Sequence, residues 1–155
     1  MEDIIIRQAA ETDIEQLLVF EQGVINAERP FDPTLKKGDI HYYDLIEMIR
    51  SSTIELVVAE LNNEIVGSGY ARVEQSKPYL QHERHAYLGF MYVDPKHRGK
   101  EINKKIIEAL KKWAASQNLK ELRLDVYLDN TPAIRAYEKI GFEKHMIEMR
   151  LGLDE

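Results

Sequence analysis

The sequence contains no cysteine, so it can build no disulfide framework and offers no thiol nucleophile or thiolate metal ligand. Its histidines, His41, His82, His85, His97 and His145, lack the short spacings of a zinc site, and no metal is expected. No run approaches the roughly 18 consecutive apolar residues that a membrane-spanning helix needs, so no membrane partner is expected. The first residues, Met1, Glu2 and Asp3, are acidic where a secretory leader is basic. A cytoplasmic protein is the expectation. Positive charge is also scarce. Against 27 Asp and Glu there are 21 Lys and Arg, leaving a formal charge of −6 and a pI near 5.4, which disfavours a nucleic-acid partner. The same balance mildly favours a cationic small molecule or a basic peptide end. Repeats, low-complexity stretches and linker-like segments are missing too, and residues 1–155 are expected to form one domain.

What is present reads as alternating strands and helices. Ile4, Ile5 and Ile6 form a short apolar run, followed by Thr12-Asp13-Ile14-Glu15, a capping-box pattern that predicts a helix from Thr12 to before Pro30. A second helix is expected over residues 40–51. Residues 55–61 and 64–73 flank Asn62-Asn63 and predict a hairpin, because Asn tolerates positive φ. Residues 84–93 predict a long strand with Ala86, Leu88, Phe90 and Tyr92 on one side and Tyr87, Met91 and Val93 on the other. Gly89 interrupts it, either as a packing gap or as a bulge where a ligand approaches. An amphipathic helix over residues 99–117 follows, then a strand over residues 122–126. A short helix with Pro132 at its first position, behind Thr131, ends at Gly141, before a last strand over residues 142–151.

The segment Val93-Asp94-Pro95-Lys96-His97-Arg98-Gly99-Lys100-Glu101-Ile102-Asn103 runs from a strand through a tight turn into a helix. Unpaired amides and the positive helix end make such a turn suited to an anion, although an ordinary strand-to-helix turn has the same outline. The phosphate-binding pattern GxxxxGK[ST] is not there. Further on stands Asn130-Thr131-Pro132-Ala133-Ile134-Arg135-Ala136-Tyr137-Glu138-Lys139-Ile140-Gly141-Phe142.

In this order, over residues 84–142, the strand, turn, long helix, second strand and Asn…Ala…Tyr…Gly-Phe helix resemble the GNAT superfamily of acetyl-CoA-dependent N-acetyltransferases. The resemblance implies an α/β (α+β) fold: a mixed, largely antiparallel central sheet flanked by helices, with a splayed parallel strand pair at the cofactor site. It implies acetyl-CoA as co-substrate, an amine acceptor of small-molecule or protein origin, and direct attack of the amine on the thioester within a ternary complex. A homodimer is compatible with it. By the same resemblance, Arg98, Gly99, Lys100, Glu101, Ile102 and Asn103 cradle the pyrophosphate. Met91, Tyr92 and Val93 offer backbone groups to the pantetheine arm and thioester, and Asn130 and Ala133 line the cofactor. Tyr137 matches the general acid that protonates the departing thiolate; a core tyrosine is the alternative.

The base is open. Where many members carry a strand carboxylate this chain has Tyr87, and Asp125 and His85 are the other candidates, His85 by its intrinsic pKa and Asp125 by its place in the next strand. A water relay needs none of them. The turn also departs from the usual small residues, with Glu101 and Asn103 in their places. Those departures leave a competing expectation, an acyl-CoA-binding or regulatory module without turnover. The resemblance implies that the acceptor is chosen by residues 20–49 together with the strand loop over residues 76–83; Phe31, Tyr42, Tyr43, Glu28, Asp32, Asp39 and Asp44 could form an aromatic, acidic rim, or equally a solvated surface and an ordinary core edge.

Overall fold

A computed structural model provides the structure, which describes residues 3–154 as two units that divide between Asp125 and Val126. In the first unit, strands β1 (Ile4–Gln8), β2 (Ile54–Leu61), β3 (Glu64–Gln75), β4 (Arg84–Val93) and β5 (Leu122–Arg123) form one sheet in that order. Every pairing is antiparallel except β4 with β5, which is parallel. The mixed, mostly antiparallel sheet flanked by helices matches the expectation. Asn62 and Asn63, at φ 51° and 66°, turn the β2–β3 hairpin as their side chains predict.

Helices α1 (Ile14–Glu28) and α2 (Leu45–Arg50) cover one face. Leu17 and Phe20 of α1 and Leu45 and Met48 of α2 share a buried cluster with Leu56, Val58, Tyr70 and Phe90 of the sheet. Helix α3 (Ile102–Ser116) buries Ile102, Ile106, Ile107 and Leu110. It lies against the other face: Tyr70 points to α1 and α2, and its strand neighbour Gly69 faces the Ile106 side chain, which a Cβ there would meet at 2.7 Å.

Several expected boundaries move for identifiable reasons. The box between Thr12 and Glu15 gives way to Asp13, whose Oδ2 accepts the Ala10 amide at 2.8 Å while Arg7 grips the same carboxylate. A 3₁₀ turn over Glu11–Asp13 therefore precedes α1. Helix α2 starts five residues later than residue 40, because the fully buried Glu21 carboxylate captures the Tyr42 and Tyr43 amides at 2.8 and 2.9 Å and holds that stretch extended. Asp44 then caps α2 through the Glu47 amide. Strand β5 is shorter than predicted, ending at Arg123.

The second unit holds α4 (Thr131–Ile140), with Pro132 in its first turn and Gly141, at φ 120°, closing it. The last strand expected over residues 142–151 is not formed, since among the described residues no neighbouring strand takes up its backbone groups. No helix among the described residues is long and apolar enough to cross a membrane.

Candidate active site

Strand β4 carries the irregularity that shapes the site. Ser68 pairs with Tyr92 and Tyr70 with Gly89, so Phe90 and Met91 together stand opposite the single residue Gly69, a β-bulge. Phe90 adopts φ 54°, the left-handed region, where a residue with a β-carbon pays about 1–2 kcal/mol. Three contacts hold it there. The fully buried Ser68 hydroxyl donates to the Phe90 carbonyl at 2.9 Å. The Phe90 ring stacks on Tyr43 with centroids 4.5 Å apart. Gly89 leaves room for the Tyr70 ring, which a Cβ there would meet at 2.5 Å. The alternation expected along this strand therefore reverses: Tyr87, Phe90 and Tyr92 all pack toward the cluster under α1 and α2.

The β4–β5 pairing consists of Ala86 with Leu122 and Tyr87 with Arg123. Beyond it, residues 88–93 have no described strand partner on that edge. Met91, Tyr92 and Val93 lie in this stretch, each partly buried.

The strand leads into the turn expected to bind an anion. Asp94 accepts the Lys96 amide at 3.0 Å and starts a 3₁₀ turn over Pro95–His97. Arg98 is extended and exposed, Gly99 takes φ 84°, and Lys100 donates to His97 Nδ1 at 3.2 Å. Glu101 is the N-cap of α3, exposed, with left-handed φ 60° and no side-chain capping bond. That conformation is why a small residue suits the position. Ile102 is buried and Asn103 half-buried at the first turn of α3, whose leading amides have no helical acceptor.

Two of the base candidates meet. The Tyr87 hydroxyl donates to Asp125 Oδ2 at 3.0 Å. Burial, reinforced by the Asp125 charge, pushes the Tyr87 phenol well above its ordinary pKa, so it stays protonated. The Arg72 guanidinium lies over the Tyr87 and Tyr70 rings, 5.2 and 5.5 Å from their centroids, and pairs with Glu74. His85 is drawn elsewhere. Its Nδ1 meets Ser76 Oγ at 2.8 Å, its Nε2 lies 3.7 Å from Glu74, and burial followed by the Arg123 charge lowers its pKa below 6.5.

Near the bulge, Glu21 orders the segment that precedes α2, binding His41 Nδ1 at 2.7 Å as well as the two tyrosine amides. The Tyr42 hydroxyl donates to Glu28 Oε1 at 2.8 Å, and burial raises the Glu28 carboxyl pKa. Of the expected rim, Asp44 is the α2 cap and Asp32 accepts the Thr34 amide at 2.9 Å. In the second unit Asn130 caps α4, its Oδ1 taking the Ala133 amide at 3.4 Å. Tyr137 is half-buried and packs edge-on to Phe142, centroids 5.7 Å apart.

The family model for the acetyltransferase (GNAT) family matches residues 22–142. The chain belongs to that family. An N-alpha-acetyltransferase of Saccharolobus solfataricus is 27% identical over 149 residues, 92% of this chain and 81% of the relative. Among solved structures, a tetramutant protein of Bacillus halodurans superposes with a TM-score of 0.86 at 21% identity, covering 96% of this chain and 99% of that one. A predicted acetyltransferase of Clostridium acetobutylicum, solved with acetyl-CoA, gives 0.76 at 21% identity, covering 97% of this chain and 96% of that one. This GNAT chain is thus an enzyme of the acyltransferase class. Sequence reasoning passed over three residues of the candidate site. Ser68 had a signal, a polar residue between Gly67 and Gly69 in mid-strand; Glu21 had one too, four residues after Leu17 on the apolar stripe of α1. Arg72 carried none.

Proposed function

We propose that this chain is an acetyl-CoA-dependent N-acetyltransferase in which the amine attacks the thioester directly, acetyl-CoA and acceptor being bound together. The observation that carries the reading is the β4 bulge beside an edge where residues 88–93 have no strand partner among the described residues, leading straight to the α3 amides. The donor set fits a CoA-type ligand: a turn with open space at Gly99, leading amides of a 15-residue helix, and strand backbone groups outside a ladder. In this reading residues 98–103 bind the pyrophosphate through main-chain amides, and Met91, Tyr92 and Val93 address the pantetheine arm and thioester. The bound group supplies an activated acetyl carbon.

The chain's own residues then move protons. Tyr87 accepts one from the attacking nitrogen while passing its own to Asp125, which fits a phenol too weakly acidic to act as a phenolate. The C–N bond forms as the C–S bond breaks. Tyr137 keeps the role the resemblance gives it, donating a proton to the leaving sulfur, and Asn130 and Ala133 line the cofactor. His85, held by Ser76 and facing Glu74, has a structural part in this scheme. A module without turnover is not favoured by the family match.

The first acceptor class to test is a peptide α-amine, since the archaeal N-alpha-acetyltransferase matches across 92% of the chain. Thiol release from acetyl-CoA, measured with N-terminal peptides, polyamines and amino sugars in parallel, tests the reading. Amine-dependent release is expected, and its absence with every acceptor while acetyl-CoA binds would return the module reading.

A further inference from the structure

We infer that Ser68 is a positioning residue for the transfer: by holding the Phe90 carbonyl it aims the Met91 amide out of the sheet toward the thioester. The inference rests on the acetyl-transfer reading above. Its basis is the planarity of a single peptide unit. A trans peptide carries its C=O and the following N–H on opposite sides, and no described peptide bond is cis. Ser68, on β3, draws the Phe90 carbonyl toward β3 at 2.9 Å. The Met91 N–H must therefore point to the opposite edge of β4, where the pairing to β5 has already stopped at Tyr87.

An ordinary strand would not need the hydroxyl. In a regular β3–β4 ladder a β3 amide would take that carbonyl, but the bulge places Phe90 and Met91 opposite Gly69 alone, and Phe90 sits at φ 54°. A buried carbonyl without a donor is unfavourable, so a side chain replaces the missing ladder bond. Ser68 is fully buried and surrounded by strand, so it reaches no solvent or substrate itself. Its neighbours Gly67 and Gly69 leave the α3 face to Ile102 and Ile106. With alanine at 68 the Phe90 ring still stacks on Tyr43, but the carbonyl loses its side-chain donor, and the Met91 amide loses its aim. An amide directed at the thioester oxygen acts when charge develops there, and a misalignment of this kind affects the acetyl step more than the grip on CoA.

Two measurements on the full chain decide the matter. In the wild type, the Met91 amide resonance should shift distinctly further with acetyl-CoA than with CoA, which has the pantetheine arm but lacks the carbonyl, whereas the α3 amides shift equally with both. In Ser68→Ala, kcat should fall by about ten-fold or more while the CoA dissociation constant stays within about two-fold. A merely structural serine predicts a lower melting temperature with kcat unchanged, or equal losses in kcat and CoA affinity; either result overturns the inference. Should the variant fail to fold, the wild-type amide comparison decides alone, and a Met91 amide indifferent to the acetyl group refutes it. The two levels separate cleanly. A wild type that binds acetyl-CoA with the Met91 response but transfers nothing defeats the reaction, while one that turns over with Met91 indifferent to the acetyl group defeats only the role of Ser68.

Discussion

Replacing Glu101 with glycine is expected to stabilise the protein and to tighten its hold on CoA, and the two effects have separate origins. Glu101 sits at φ 60° with its side chain exposed and making no cap. A β-carbon in that region costs about 1–2 kcal/mol, whereas glycine adopts it freely. Glycine also adds freedom to the unfolded chain, which offsets roughly 0.5–1 kcal/mol. The difference leaves a net gain of about 0.5–1 kcal/mol, or a rise of about 1–4 °C in melting temperature for a chain of this size. Glu101→Gln keeps the β-carbon and removes the charge, so it shares none of that gain and loses the small favourable effect of a carboxylate at a helix N-terminus. For CoA, both variants should bind a few-fold tighter at low salt, the advantage fading as the Debye length shrinks to about 8 Å at physiological ionic strength. Thermal melts and calorimetric CoA titrations at two salt concentrations read both effects. If glycine is no more stable than glutamine at 101, the left-handed backbone is not what distinguishes this position and the reasoning fails.

Three other outcomes follow from the geometry. Tyr87→Phe and Asp125→Asn should each lower kcat by about 10²-fold, and the double variant should be little worse than the poorer single, because the pair acts as one relay; additive losses in steady-state rates would separate them. Tyr137→Phe should lower turnover by about 10²–10⁴-fold with little change in CoA affinity, and wild-type turnover in the variant would remove Tyr137 from the acid role. His85 has a folded pKa below 6.5, so the unfolded chain binds its proton more readily. Its stability contribution is complete above pH 6.5 and declines as pH falls from there toward the folded value. Denaturant unfolding should show that slope, and His85→Gln should flatten it.

The chemistry-bearing core of the fold was readable from local patterns. The Asn62-Asn63 hairpin, the full span of β4 and the stop of α4 at Gly141 are each set by a few residues whose own backbone preferences decide the outcome. What escaped was tertiary. Glu21 stands on the apolar stripe of α1, but no local pattern shows that, once buried, it binds the Tyr42 and Tyr43 amides and delays α2. The reversal of faces in β4 was hidden for a related reason. Gly89 advertises an irregularity, but only its pairing with Tyr70 and the Ser68 hydroxyl show that the extra residue is Phe90. The Tyr87–Asp125 contact joins residues 38 apart in sequence, a separation that periodicity does not reach.

The central claim is that this chain holds acetyl-CoA along the unpaired edge of β4 and delivers its acetyl group there. A crystal structure with bound CoA tests it most directly. The account predicts the pyrophosphate within about 3 Å of main-chain amides between Arg98 and Asn103, with the pantetheine arm running antiparallel along residues 91–93 like an added strand. CoA seated anywhere else, with β4 and the α3 amides left to solvent, would contradict it.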